Sequence, residues 1–117
     1  MRHRHKGKTL DRKAQPRNLM LRNLASSLIL YEKVTTTTAR AKAVKSMVER
    51  LISLGRKGDL AARRELLRIL PVKNAAAKVV EDLGPRYKNR TGGYSRIIKL
   101  SRRLGDNAKT VRLELID

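Results

Sequence analysis

Apolar residues recur at helical spacing through the first two thirds of the chain and switch to strict alternation towards its end. From Pro16, which suits the first turn of a helix because its missing N–H is harmless there, Met20, Leu24 and Leu28 form a stripe with Leu21 and Tyr31 beside it. The stretch EKVTTT at 32–37 is short and β-branched and predicts a strand. Thr38 is placed to cap a second helix, whose stripe of Val44, Met47, Val48, Leu51 and Ile52 runs until Gly55 ends it. Asp59 is the expected N-cap of a third helix, LAARRELLRIL, stopped by Pro71. Asn74 is the expected cap of a fourth, AAAKVVEDL, which buries Ala76, Val79, Val80 and Leu83 and closes at Gly84-Pro85.

After Gly93 the period becomes two. Tyr94, Arg96, Ile98 and Leu100 fall on one face of a strand and Ser95, Ile97, Lys99 and Ser101 on the other, while TVRLELI sets Val111, Leu113 and Leu115 against Arg112 and Glu114. Gly105-Asp106-Asn107 is turn chemistry, so these two strands are expected to pair antiparallel. The reading is an α+β fold, a two-layer α/β sandwich of order α-β-α-α-α-β-β. Its small three-stranded sheet is expected to be mixed, with helices on one face and a polar face opposite. With 117 residues there is room for one domain, assigned to 14–117, able to bury roughly two thirds of its unfolded surface. Residues 1–13, MRHRHKGKTLDRK, carry almost nothing to bury and are assigned to a basic arm, mobile when alone in water.

Charge sharpens this picture. Lys and Arg number 29 against 10 Asp and Glu, a formal net charge of +19. Self-repulsion of that size opposes compaction and is relieved by a polyanion, either nucleic acid or an anionic membrane surface. The longest apolar stretch, LMLRNLASSLILY, contains Arg22 and Asn23 and falls short of the ~20 apolar residues a membrane span needs. It also lacks the small-residue cleavage pattern of a secretory signal. Zero cysteines exclude a disulfide framework and a cysteine-based zinc site, and make a reducing cytoplasm the expected compartment. The acids are unevenly spread: 12–31, 33–48 and 84–105 contain none. These windows are the candidate contact surface.

Catalysis is poorly supplied. His3 and His5 sit in the arm, where no scaffold holds a general base in place, and their H-x-H spacing alone is a weak metal chelator. Glu81 and Asp82 point about 100° apart on a helix, and no phosphate-binding loop or dinucleotide fingerprint occurs. No catalytic residue, metal, cofactor or small-molecule substrate is expected.

Binding chemistry, by contrast, is abundant. Arg86, Lys88, Arg90, Arg96, Lys99, Arg102 and Arg103 share one acid-free run with Tyr87 and Tyr94, two of the three aromatic residues in the chain. Guanidinium groups fork onto phosphates and rings stack on unpaired bases, so this mixture suits RNA or a single strand. Gly92-Gly93 would let a backbone approach the sugar-phosphate chain. Tyr94 fits either a core position, on the face of Ile98 and Leu100, or a stacking position; Tyr87, in the loop, favours RNA or rim contact. Arg17, Arg22, Lys42 and Lys45 are either a solvated face or further phosphate contacts, Lys42 following TTTTAR where hydroxyls and a helix start receive a phosphate. Arg2, His3, Arg4, His5, Lys6, Lys8, Arg12 and Lys13 would lie along phosphates from the arm.

Taken together, MRHR at the start, LRNLASSLI, TTTTARAKAV, LGPRYKNRTGGYSRIIKL and GDNAKTVRLELID resemble the bacterial large-subunit ribosomal protein family bL17. The resemblance implies a non-enzymatic structural constituent of the large ribosomal subunit that binds 23S rRNA. It would lie on the outer side where the peptide tunnel opens, beside neighbouring large-subunit proteins, with the element order given above. It also implies that Arg2, His3, Arg4, Gly7, Lys8 and Arg12 lie in an RNA-threading arm, and Arg86, Arg90, Gly92, Gly93, Tyr94 and Arg96 in a motif loop. Two departures stand out: His5 where lysine is common, and Ala14-Gln15-Pro16 in place of a more polar entry to the first helix. The match from Met1 sets an organellar transit peptide aside and puts the expected location in the cytoplasmic ribosome. The alternatives left open are a DNA-coating architectural protein and a nucleic-acid-processing enzyme.

Overall fold

Four helical runs cover one face of a three-stranded sheet in the computed structural model, which describes residues 14–102, 105 and 108–116. The elements are α1 (Ala14–Tyr31), β1 (Lys33–Thr37), α2 (Thr38–Lys57), α3 (Leu60–Ile69), α4 (Lys73–Lys78), β2 (Ser95–Arg102) and β3 (Lys109–Leu115). Helix α4 continues without a break through a π-helical stretch, Val79–Leu83, into one more α turn, α5 (Gly84–Arg86). The expected α+β order therefore holds, with its fourth helix in three pieces.

The sheet is not mixed. Its order is β1-β3-β2, and β3 pairs antiparallel with both neighbours. β1 and β2 run the same way, but the last strand inserts between them, so no parallel pair forms. Opposite Leu113 lie Val34 and Ile97, and this face meets the helices. The outer face sets Lys33 and Arg96 against Glu114, and Thr35 and Ile98 against Arg112. The covered face of β2 is thus that of Ser95 and Ile97, not the Ile98 and Leu100 face on which Tyr94 was expected. Tyr94 is buried just ahead of the strand.

Local sequence explains most boundaries, and packing explains the exceptions. Helix α1 buries Leu21, Ala25, Leu28 and Ile29, so its stripe is turned slightly from the expected one and Tyr31 ends up 73% exposed. Thr37 rather than Thr38 precedes α2. Asp59 caps α3 as expected, its Oδ1 accepting from the Ala62 N–H at 2.7 Å. Val72, not Asn74, precedes α4.

Gly55 does not end α2. The helix runs on to Gly58, which takes the left-handed conformation at φ 66° and donates its N–H to the Gly55 carbonyl. Gly55 is instead the point where α2 crosses the end of the fourth run. A Cβ on Gly84 would sit 2.6 Å from the Gly55 carbonyl oxygen, and one on Gly55 would strike Val79. Two bare backbones are needed for that approach. The same crossing corrects the expectation that Gly84-Pro85 closes the helix: Gly84 is buried against α2, and Pro85 falls in the first turn of α5, where it is tolerated.

Candidate nucleic-acid interface

The segment that joins α5 to β2 is held from below by α2. Glu49, Ser53 and Arg56 follow one another at helical spacing on one face of that helix. The Glu49 carboxylate accepts the Tyr94 N–H at 3.0 Å, the Ser95 N–H at 3.2 Å and the Ser95 hydroxyl at 3.0 Å, fixing the start of β2. Two turns later Arg56 donates to the Tyr94 hydroxyl at 3.0 Å and to the Lys88 carbonyl at 2.9 Å. The Tyr94 hydroxyl in turn donates to the Arg90 carbonyl at 3.2 Å and lies 3.3 Å from Ser53 Oγ.

Both loop tyrosines are core residues. Tyr87 is 2% exposed and Tyr94 0%, their ring centroids 5.1 Å apart at a tilt of 44°, and the Tyr87 hydroxyl donates to the Ile116 carbonyl. Neither face of either ring is open to a base, which corrects the reading of Tyr87 as an RNA or rim contact and decides Tyr94 for the core. In a chain without Phe or Trp, they are the large side chains available to fill the space between α2 and the C-terminal strand.

Above these anchors, Lys88, Arg90, Gly92 and Gly93 are exposed. Gly93 is left-handed at φ 65°, which favours glycine. With Lys45, Arg50 and Lys57 of α2, the two glycines line an open cleft of about 520 Å³. This is a firmly anchored loop with cations on its rim, suited to a sugar-phosphate backbone.

Two arginines expected at this surface are already engaged. Arg86 forks onto Glu32, Nη1 to Oε1 at 2.6 Å and Nη2 to Oε2 at 3.0 Å, and also reaches Asp82 at 3.1 Å. Lys78 adds a 3.0 Å contact to the same Glu32 carboxylate. Hydrogen bonds from Arg86, then from Lys78, hold the Glu32 carboxyl down to about 2, and Glu32 raises Arg86 in return. Glu32 has a left-handed backbone, φ 64°. Its N–H bonds the Leu28 carbonyl and its carbonyl accepts from Leu115, so the corner between α1 and β1 is tied to the sheet as well. On the outer sheet face Arg96 pairs with Glu114 at 2.7 Å, and that contact lowers the Glu114 carboxyl.

The other expected residues spread over two further grooves beside α2. Arg22 lines one between α1, α2 and α3, with Met47, Arg50, Leu51 and Glu65; Arg17, five residues earlier on α1, is not among the residues that line it. Lys42 and Lys99 line the other, between the start of α2 and the β2–β3 hairpin. Arg2, His3, Arg4, His5, Lys6, Lys8, Arg12 and Lys13, together with Arg103, lie outside the described residues. Among the described residues no group of His, Asp or Glu gathers in a way that could hold a metal, and no helix is long and apolar enough to cross a membrane.

Sequence reasoning passed over Glu32, Glu49 and Arg56. The available signal was the polar stripe Glu49, Ser53, Arg56 along a helix otherwise divided between apolar and basic faces.

Comparison with known proteins places residues 20–116 in a match to the family described as ribosomal protein L17. The large ribosomal subunit protein bL17 of Syntrophotalea carbinolica is 47% identical over 117 residues, spanning all of this chain and 76% of the relative. That of Bdellovibrio bacteriovorus is 50% identical over 115 residues, 98% of this chain and 64% of the relative. That of a Hydrogenobaculum species is 47% identical over 118 residues, covering both chains in full.

Proposed function

Because the chain belongs to the ribosomal protein L17 family, and so to the structural proteins of the large ribosomal subunit, we propose that it binds 23S rRNA by its arm and its loop and catalyses nothing. The arm is 1–13, the loop is the rim of 88–93, and residues 14–117 form the single domain that carries both. Its position on the outer side of the subunit, near the tunnel opening and beside other large-subunit proteins, is part of the same reading.

One observation carries it: the loop cations Lys88 and Arg90 stand exposed over a bracket made by Glu49, Arg56 and Tyr94. A surface held this firmly presents charge without having to order itself on contact. The arm adds six Lys and Arg within 1–13 to that charge.

Washing particles with salt tests this. The full chain should stay with large subunits through a moderate-salt wash, and a chain lacking residues 1–13 or carrying Lys88→Ala with Arg90→Ala should leave at lower salt. Recovery of the native chain in the unbound fraction, or equal competition by duplex DNA at the same salt, would contradict the reading.

A further inference from the structure

The groove between the start of α2 and the β2–β3 hairpin lies apart from the loop cleft and has a different build. It has a volume of about 590 Å³, within the range of pockets that enclose a small ligand. Ile97, Leu100 and Val111 make an apolar floor, and Lys42, Lys99 and Lys109 stand around it. No carboxylate is among the described residues that line it.

A fault in the sheet produces this arrangement. β2 and β3 are in step from Ser95 to Lys99, and then the register shifts, so that Leu100 and Ser101 oppose the single residue Thr110 and Arg102 meets Lys109. Such a bulge reverses the alternation beyond it. Arg102, which strict alternation would put on the outer face with Arg96 and Ile98, therefore joins Lys99 and Lys109 beside the groove. Thr38, the first residue of α2, lines the same groove, so the positive end of a 20-residue helix adds to the field of the lysines.

We infer that this groove takes a single-stranded stretch of RNA, seating one unpaired base on Ile97, Leu100 and Val111 and the flanking phosphates on Lys42, Lys99 and Lys109. The inference rests on the proposed RNA-binding function and adds a second, single-strand-selective site to it. An apolar floor ringed by cations matches a nucleotide, which has one apolar face and one anionic edge. A duplex would bring the phosphates but not the base, since its bases are stacked inside.

The test uses the full chain with a short oligouridylate carrying one 4-thiouridine, and the same strand annealed to oligoadenylate. The single strand should cross-link within 97–111. Changing Lys42→Gln, Lys99→Gln and Lys109→Gln together should remove that cross-link and lower the salt slope of binding by about 2 to 3, the share of three phosphate contacts. Leu100→Ser should weaken the single strand roughly tenfold, the scale of burying part of one leucine side chain, and leave the duplex unchanged. A charge control, Arg64→Gln with Lys73→Gln on α3 and α4, should keep the cross-link. Cross-links confined to the arm and the 88–93 loop would overturn the groove while leaving the RNA reading intact, and so would an equal loss of single strand and duplex in Leu100→Ser. Failure of the native chain to bind either RNA would instead overturn the RNA reading itself.

Discussion

Arg86 and Lys99 come from the same acid-free run of sequence and end in opposite circumstances. Arg86 lies in a corner where α1, the fourth helical run and β3 meet, and two acids from outside its run, or at its edge, are brought to it: Glu32 and Asp82. Lys99 lies on a groove, lined by none of the Arg86 corner's residues, to which the fold brings other lysines and an apolar floor. The difference teaches that a cationic run in sequence is not yet a cationic surface. The fold engages part of that charge with its own carboxylates, as with Arg86 and Arg96, and only the remainder is left for a partner. Removing a cation should therefore cost stability in the first region and RNA affinity in the second.

The largest effect should come from beneath the loop. Tyr94→Ala deletes a fully buried ring and should cost about 3–5 kcal/mol, the usual price of a core aromatic, read as a lowered Tm and a loop open to proteolysis near 88–93. Next, Arg86→Met should destabilise by about 2 kcal/mol, because it leaves a partly buried carboxylate short of its main partner. An unchanged Tm in Arg86→Met would erase the distinction between the two regions.

Glu32 adds a pH signature. Its carboxyl is held at about 2 against an ordinary value of 4.5, so the native state favours the ionised form. That contribution is complete above the ordinary value and is lost as pH falls through the folded one. Thermal melts of the native chain should lose stability between pH 4.5 and 2, by about 2 kcal/mol once solvent screening of a one-third exposed side chain is allowed for. Glu32→Gln should start lower and stay flatter across that window. Smallest of all should be the stability change in Lys42→Gln with Lys99→Gln, both exposed and away from any carboxylate recorded among the described residues. Those two should melt as the native chain does while losing RNA affinity.

Much of the fold was legible because it is local. The element order, the Asp59 cap and the alternation of Val111, Leu113 and Leu115 depend on neighbours along the chain, and the structure keeps them. What was not legible depends on which segments meet. Gly55 reads as a helix end until Gly84 is seen to need its bare backbone, and the mixed sheet was a choice about strand order that no single strand encodes. The candidate site divides the same way. Lys88, Arg90, Gly92 and Gly93 reach the surface as their loop chemistry suggested, whereas Tyr87 and Tyr94 look alike in sequence whether they grip a base or the core. The partners that hold Tyr94, Glu49 and Arg56, lie some forty residues upstream, and the carbonyl that takes the Tyr87 hydroxyl belongs to Ile116, at the far end of the chain.

The most direct test of the account is the salt dependence of full-chain binding to 23S rRNA, measured in parallel for Arg86→Met and for the Lys42→Gln, Lys99→Gln, Lys109→Gln chain. Each lost phosphate contact lowers the slope by about 0.7 to 0.9, so the lysine variant should fall by about 2 to 3 and the arginine variant should match the native slope. An equal fall in both, or a native slope near zero, would contradict the claim that the cations left without carboxylates are the ones that meet RNA.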